Sequence, residues 1–278
     1  MSAPLSVMPL RGGVYWVSGG VSNTGFIVGD TGVIAIDAQM FVPTARRELA
    51  EIAKITSKPV NAIILTHSDP DHINGLPAYP AGLQVIAQER VKAEILAALE
   101  APRAGGLPTP PQMRDFLPNL EVGDSKTLVL DGVRIVLTHV AAAHTDGDLV
   151  VYLPEQKIVF AGDLVTPAMG AYPVIHLNKH GSSLGWIASV KAMLALDAEI
   201  YICGHGDRVD RDQLRTRLSE AVRRRAEIKG LFDRGKSLEQ IKIELHDADP
   251  PSGDAAMFPG FTQTVFQELG GPAGAAGR

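Results

Sequence analysis

The chain has 278 residues, 45% hydrophobic and 21% charged, with a formal net charge of -5. That length and balance suit one sizeable buried core and exclude a disordered polypeptide. No Lys/Arg run with interleaved aromatics marks a nucleic-acid surface, no apolar run reaches the length of a membrane span, and the single Cys203 excludes an internal disulfide. The expected partner is therefore a small-molecule substrate, with neither nucleic acid nor membrane, and the sequence leaves the oligomeric state open. The first residues lack the basic-then-apolar pattern of a secretory signal. As written, the chain reads as soluble and cytoplasmic, with a periplasmic location as the alternative if an export signal has been removed.

In chain order, short β-rich runs at 13–17, 25–28 and 33–36 are separated by Gly19-Gly20, Asn23, Gly29-Asp30 and Gly32, which predicts a β-meander. Pro43 then precedes 44–55, where Leu49, Ile52, Ala53 and Ile55 suit an amphipathic helix, and 62–65 reads as the next strand. A strand at 84–87, a helix near 90–100 and a Pro/Gly-rich loop over 101–119 follow. The second half repeats the pattern, with strands at 127–130, 133–138, 149–153 and 157–160, a helix over 184–196 and a strand over 199–203. Asp131-Gly132 marks a hairpin turn between two of these strands. Beyond 211 the pattern is helical, over about 211–232 and 237–245, and the Gly/Ala-rich 270–278 reads as a disordered tail. Two β-then-α halves, each burying one sheet face under helices, predict an α/β fold, a four-layer αββα sandwich.

Chemistry concentrates in Thr66-His67-Ser68-Asp69-Pro70-Asp71-His72, where four potential metal ligands follow the apolar run 62–65. Side chains two apart share a strand face, so His67 and Asp69 point together if the chain stays extended, which Pro70 favours by excluding its predecessor from the helical region. Asp71 and His72 then open the next turn or helix. Further ligand types recur near strand ends: His144 before Thr145-Asp146-Gly147-Asp148, Asp163 after Phe160-Ala161-Gly162, and His205 after Cys203-Gly204. Isolated His139 and His246 carry no such pattern, whereas His67, Asp69, Asp71, His72, His144, Asp163 and His205 in this order read as a metal site.

The set and its order resemble the metallo-β-lactamase superfamily of dinuclear metallohydrolases, over about residues 10–210. The resemblance implies an αββα domain over 1–210, with 211–269 as a helical extension packed on it. It also implies two adjacent divalent ions, Zn first and Fe or Mn as alternatives. His67, Asp69 and His144 would serve the first metal, Asp71, His72 and His205 the second, and Asp163 would bridge them, with Asp71 and Asp163 in catalytic roles.

The departure is Asp69, where the common motif has histidine. Two divalent ions, three aspartates and a bridging hydroxide are formally neutral, so weaker attraction for anions, a less acidified water and a drift toward Fe or Mn are expected. The alternative is that Asp69 points away and the first metal is weak or absent. Asp146 or Asp148 could orient His144 or simply form the turn. On the segment 166–185, Lys179 reads first as a solvated lysine and second as an anchor for a substrate anion. The implied reaction is hydrolysis by a metal-bridging hydroxide, on a β-lactam or on a lactone or other ester. Alternatives are a non-haem diiron redox protein lacking its own flavin domain, since flavodiiron proteins carry a carboxylate at this position, and a binding protein without chemistry.

Overall fold

The computed structural model describes residues 3–100, 108–247 and 259–272. Its first sheet runs in chain order through β1 (Ala3–Pro9), β2 (Val14–Gly20), β3 (Thr24–Val28), β4 (Val33–Ile36), β5 (Val60–Ile64), β6 (Gln84–Gln88) and β7 (Leu120–Val122). The β1 to β4 pairings are antiparallel and the β4 to β7 pairings parallel. Helices α1 (Val42–Ile55), α2 (Pro70–Ile73) and α3 (Glu89–Glu100) lie in the connections between β4 and β7. The second sheet is β8 (Ser125–Leu130), β9 (Val133–Thr138), β10 (Val150–Leu153), β11 (Ile158–Gly162), β12 (Ile200–Cys203) and β13 (Val209–Asp210), again adjacent in sequence order. Helices α4 (Ser183–Ala195), α5 (Arg211–Asp233), α6 (Leu238–Glu244) and α7 (Phe261–Glu268) complete the chain.

The period of two in a strand sorts the side chains into layers. On β11, Ile158 and Phe160 enter the core between the sheets with Ile27, Ile34, Ile36 and Ile64, while Val159 and Ala161 face α4 and α5 through Trp186, Val190 and Leu214. A third cluster places Ile63, Leu65 and Val85 under Ala45, Val91 and Ile95 of α1 and α3. Helix, sheet, sheet, helix is thus the αββα order. The sheets approach closely at Gly25, where a Cβ would stand 2.3 Å from the Phe160 ring. Asp131 and Gly132 turn β8 into β9 with φ of 47° and 79°, the left-handed pair of a two-residue hairpin.

Besides the short strands β7 and β13, three elements differ from the sequence reading. β1 precedes the expected meander, its prolines placed on an edge strand where a missing N–H does no harm. The expected 101–119 loop contains a 3₁₀ helix, Pro111–Phe116, that buries Met113 and Phe116, while residues 101–107 lie outside the described residues. Helix α7 was unanticipated; it packs Phe261, Val265 and Phe266 into the α4–α5 cluster. Of the expected 270–278 tail, 273–278 lie outside the described residues. No helix of the described residues is long and apolar enough to cross a membrane.

Candidate metal centre

At the end of β5 the chain stays extended through Asp69 (ψ 142°), and α2 starts at Pro70. Asp71 falls in its first turn, where unsatisfied backbone N–H groups favour a carboxylate. His144 arrives on the β9–β10 loop, Asp163 directly after β11, and His205 just past β12. All seven predicted residues meet in one place. Their donor atoms form three overlapping groups: His67, Asp69 and His144; His67, His72 and Asp163; Asp71, His72 and His205.

The fit to metal can be tested by ligand spacing. Around a four-coordinate ion with bonds of ~2.0–2.2 Å, neighbouring ligand atoms stand ~3.3–3.6 Å apart. Asp69 Oδ2 lies 3.1 Å from His144 Nε2 and 3.7 Å from His67 Nε2. Asp71 Oδ2 lies 3.0 Å from His205 Nε2 and 3.5 Å from His72 Nε2. Asp163 reaches both groups, with Oδ1 3.2 Å from His72 Nε2 and Oδ2 3.4 Å from His205 Nε2 and 3.8 Å from His144 Nε2. The buried His67 Nε2, His72 Nε2 and Asp163 Oδ1 make no hydrogen bond among the described residues. Buried polar atoms left so are costly, and a shared cation would satisfy all three. The residues therefore fit a pair of metal ions.

The outer partners fix which nitrogen faces inward. His72 Nδ1 lies 2.8 Å from Asp37 Oδ2, His144 Nδ1 2.9 Å from the Val174 carbonyl, and His67 Nδ1 3.0 Å from Thr66 Oγ1. Asp37 also accepts from Thr66 N and Oγ1, both at 2.8 Å. It does so from a left-handed backbone (φ 61°), a conformation that costs an L-residue energy and that the site retains. The sequence reading missed Asp37, although Ile34-Ala35-Ile36-Asp37 carries the same strand-end signal that singled out Asp163.

Without metal the ligands compensate one another. Burial opposes charge on His144 and His205, yet Asp69 pushes His144 up to about 9, and Asp163 with Asp71 pushes His205 up to about 10. Burial likewise opposes ionisation of Asp69, but His144, His67 and Lys179 hold it well below the usual carboxylate range. Burial beside the His144 charge depresses His176 to about 3, so that ring is neutral. Cys203, buried under α4, is raised to about 12 by that burial, which rules out a ready thiolate.

The leading expectation for Lys179 needs correction. Lys179 is no solvated lysine: only 7% of its side chain is exposed, and Nζ lies 2.6 Å from Asp69 Oδ1, 2.7 Å from Ser68 Oγ and 3.1 Å from Glu94 Oε2. Its charge is shared between the carboxylates of Asp69 and Glu94. Asp69 itself does not point away. Asp148 shapes the loop rather than contacting His144, accepting from Thr145 N and Oγ1, while Val174 orients the imidazole. Glu94 and Ser68 were not anticipated, and Ser68 Oγ donates a short hydrogen bond to Glu94.

The family model described as metallo-beta-lactamase superfamily matches residues 17–205. The chain is 29% identical over 209 residues to 2,4-dinitroanisole O-demethylase subunit alpha from Nocardioides sp., covering 74% of this chain and 59% of that protein. It is 26% identical over 212 residues to a linear primary-alkylsulfatase from Pseudomonas sp., covering 64% and 40%. The chain thus spans about half the length of these curated relatives. Among solved structures, the stereoselective inverting sec-alkylsulfatase from Pseudomonas sp. superposes with TM-score 0.70 at 18% identity, covering 98% of this chain and 51% of that one. A metallo-beta-lactamase from Pontibacter korlensis gives 0.64 at 20% identity, covering 78% and 99%. At such identity the likeness concerns the fold.

Proposed function

The chain belongs to the metallo-β-lactamase superfamily, and from that premise we propose that it is a metal-dependent hydrolase of small molecules, working with two divalent ions, Zn first. The observation that carries this reading is the convergence of His67, Asp69, Asp71, His72, His144, Asp163 and His205 at the spacing of metal ligands. Bound there, divalent ions supply an acidified water and a polarised substrate oxygen.

The protein's own residues do the rest. Asp37, Thr66 and the Val174 carbonyl fix the imidazoles, so the donors need no rearrangement. Asp163, placed between the two groups, ties their geometry together. The Asp71 side chain is 18% exposed against 6% for Asp163 and 9% for Asp69, so it is the carboxylate at the mouth of the site, where it can orient the attacking water and accept its proton.

For the substrate we favour a bond whose leaving atom is oxygen. The demethylase and the alkylsulfatase are named for substrates of that kind, an aryl ether and a sulfate ester. Lactones and carboxylic esters share that leaving atom, and a β-lactam, which leaves through nitrogen, is the contrasting case. The diiron redox reading takes no support from these relatives. The test is turnover of metal-counted protein on alkyl sulfates, nitroaryl ethers, esters, lactones and a chromogenic β-lactam. Chelator-sensitive cleavage of an oxygen-linked substrate is expected. Protein with two bound ions that leaves the whole panel intact would overturn the hydrolase reading.

A further inference from the structure

One short turn brings two side chains to Asp69. The 3₁₀ turn Leu177–Lys179 starts from His176 and is closed by His180 in a left-handed conformation (φ 57°). Residues three apart eclipse in such a turn, so His176 and Lys179 project to the same side. The turn is strapped to the His144 loop by His176 N to His144 O and Asp146 N to Lys179 O, both 2.9 Å, and by Ser182 N to Ala143 O, 2.8 Å. The fit is close: a Cβ on Gly181 would stand 2.3 Å from the His144 carbonyl oxygen.

Lys179 takes Asp69 Oδ1 at 2.6 Å, leaving Oδ2 as the oxygen that faces the site. That Oδ2 is bracketed by three imidazole nitrogens: His144 Nε2 at 3.1 Å, His176 Nδ1 at 3.3 Å and His67 Nε2 at 3.7 Å. His176 is 6% exposed, and its ring centroid lies 4.4 Å from that of His144. Measured from Asp69 Oδ2, the three separations lie near the ~3.3–3.6 Å between atoms that ligate one ion; the donors that are all mutually close are those of His67, Asp69 and His144, and His176 Nδ1 joins them through Asp69. A carboxylate oxygen whose partner oxygen is held by an ammonium is a weakened donor. A metal there gains from another nitrogen donor.

We infer that His176, through Nδ1, is a further ligand of the first metal position, alongside His67, His144 and Asp69 Oδ2. The inference rests on the dinuclear reading of the site but not on any substrate. Zn²⁺ and Co²⁺ titrations of the chelator-stripped full chain test it, comparing the unaltered protein with His176→Ala and His176→Asn. The expected result is two ions in the unaltered protein. In both variants, affinity at one position falls about a hundredfold or more, with an altered cobalt absorption spectrum, and added imidazole restores binding to His176→Ala. Folded variants that keep two ions at unchanged affinity with an unchanged cobalt spectrum overturn it. If neither variant folds, a crystal structure of the zinc-loaded unaltered protein decides: Nδ1 within ~2.2 Å of the ion supports the assignment, and a longer separation overturns it. Loaded protein without turnover would count against the hydrolase reading alone, whereas equal metal binding in variant and unaltered protein counts against His176 alone.

Discussion

The two proposed metal positions are built differently. Around the second, Asp71, His72 and His205 follow the expected motif, and His72 leans on one outer carboxylate, Asp37. Around the first, Asp69 is held from behind by Lys179, which is itself shared with Ser68 and Glu94. A change of ligand type at one position is thus accompanied by a buried lysine and a further carboxylate that the ligand list does not show. Lys179 is 111 residues from Ser68 and 110 from Asp69 in sequence, and only the fold joins them.

The largest effect should come from residues that serve both positions. Asp163→Asn removes charge where the groups meet, and we expect metal content to drop below two ions and kcat/KM to fall at least about a hundredfold. His205→Ala should empty the second position while sparing the first, read by ion counting and by an unchanged circular dichroism spectrum. Full occupancy in either variant would break the dinuclear assignment.

Asp69→His tests the difference between the positions directly. It strips Lys179 of one anion while leaving Glu94, and a destabilisation of about 2–3 kcal/mol is expected, smaller than for a charge left wholly unpaired. Asp69→His with Lys179→Met should recover most of that loss and shift preference toward Zn. Additive denaturation energies in this double-mutant cycle would show that the pair is not coupled.

Glu48, fully buried on α1, lies outside the ligand set, although the Asp37 charge reaches it. Burial raises its carboxyl from 4.5 to about 8, so between those values the folded chain keeps a proton that the unfolded chain has lost. Stability therefore falls as pH rises from 4.5 toward 8. Glu48→Gln should remove this slope, gaining on the order of 4 kcal/mol at pH 8 and almost nothing near pH 4.5, as read by urea denaturation at both values.

A graded effect is the pH dependence of metal uptake. His144 at about 9 and His205 at about 10 hold protons at neutral pH that a metal must displace. Apparent affinity should rise about tenfold per pH unit for each proton released, until those values are passed. A flat profile from pH 6 to 8 would mean that these imidazoles are already neutral there.

The sequence made the ligands legible because they sit where local pattern is strongest, at strand ends after Ala62-Ile63-Ile64-Leu65 and Ile158-Val159-Phe160. The αββα order followed from the same alternation. Lys179 and His176 were not legible as site residues, since their meaning depends on Asp69, which is distant in sequence, and a loop lysine is usually solvated. Asp37 was missed although its strand-end pattern was present. Helix α7 was missed because its apolar face is defined by α4 and α5 rather than by a long periodic run of its own.

Asn23, in the β2–β3 turn, donates from Nδ2 to the carbonyls of Cys203 and Gly206 at 2.8 and 2.7 Å, and its N–H reaches the Gly204 carbonyl at 2.7 Å. Beside it, Ser22 Oγ donates to the Asp71 carbonyl at 2.6 Å. The segments bearing Asp71 and His205 are thus fastened to one turn, whose Ser22 and Asn23 are buried. Under the dinuclear proposal, whatever orders that turn would tighten the grip on an ion held there, and by thermodynamic reciprocity the ion would steady the turn by the same factor.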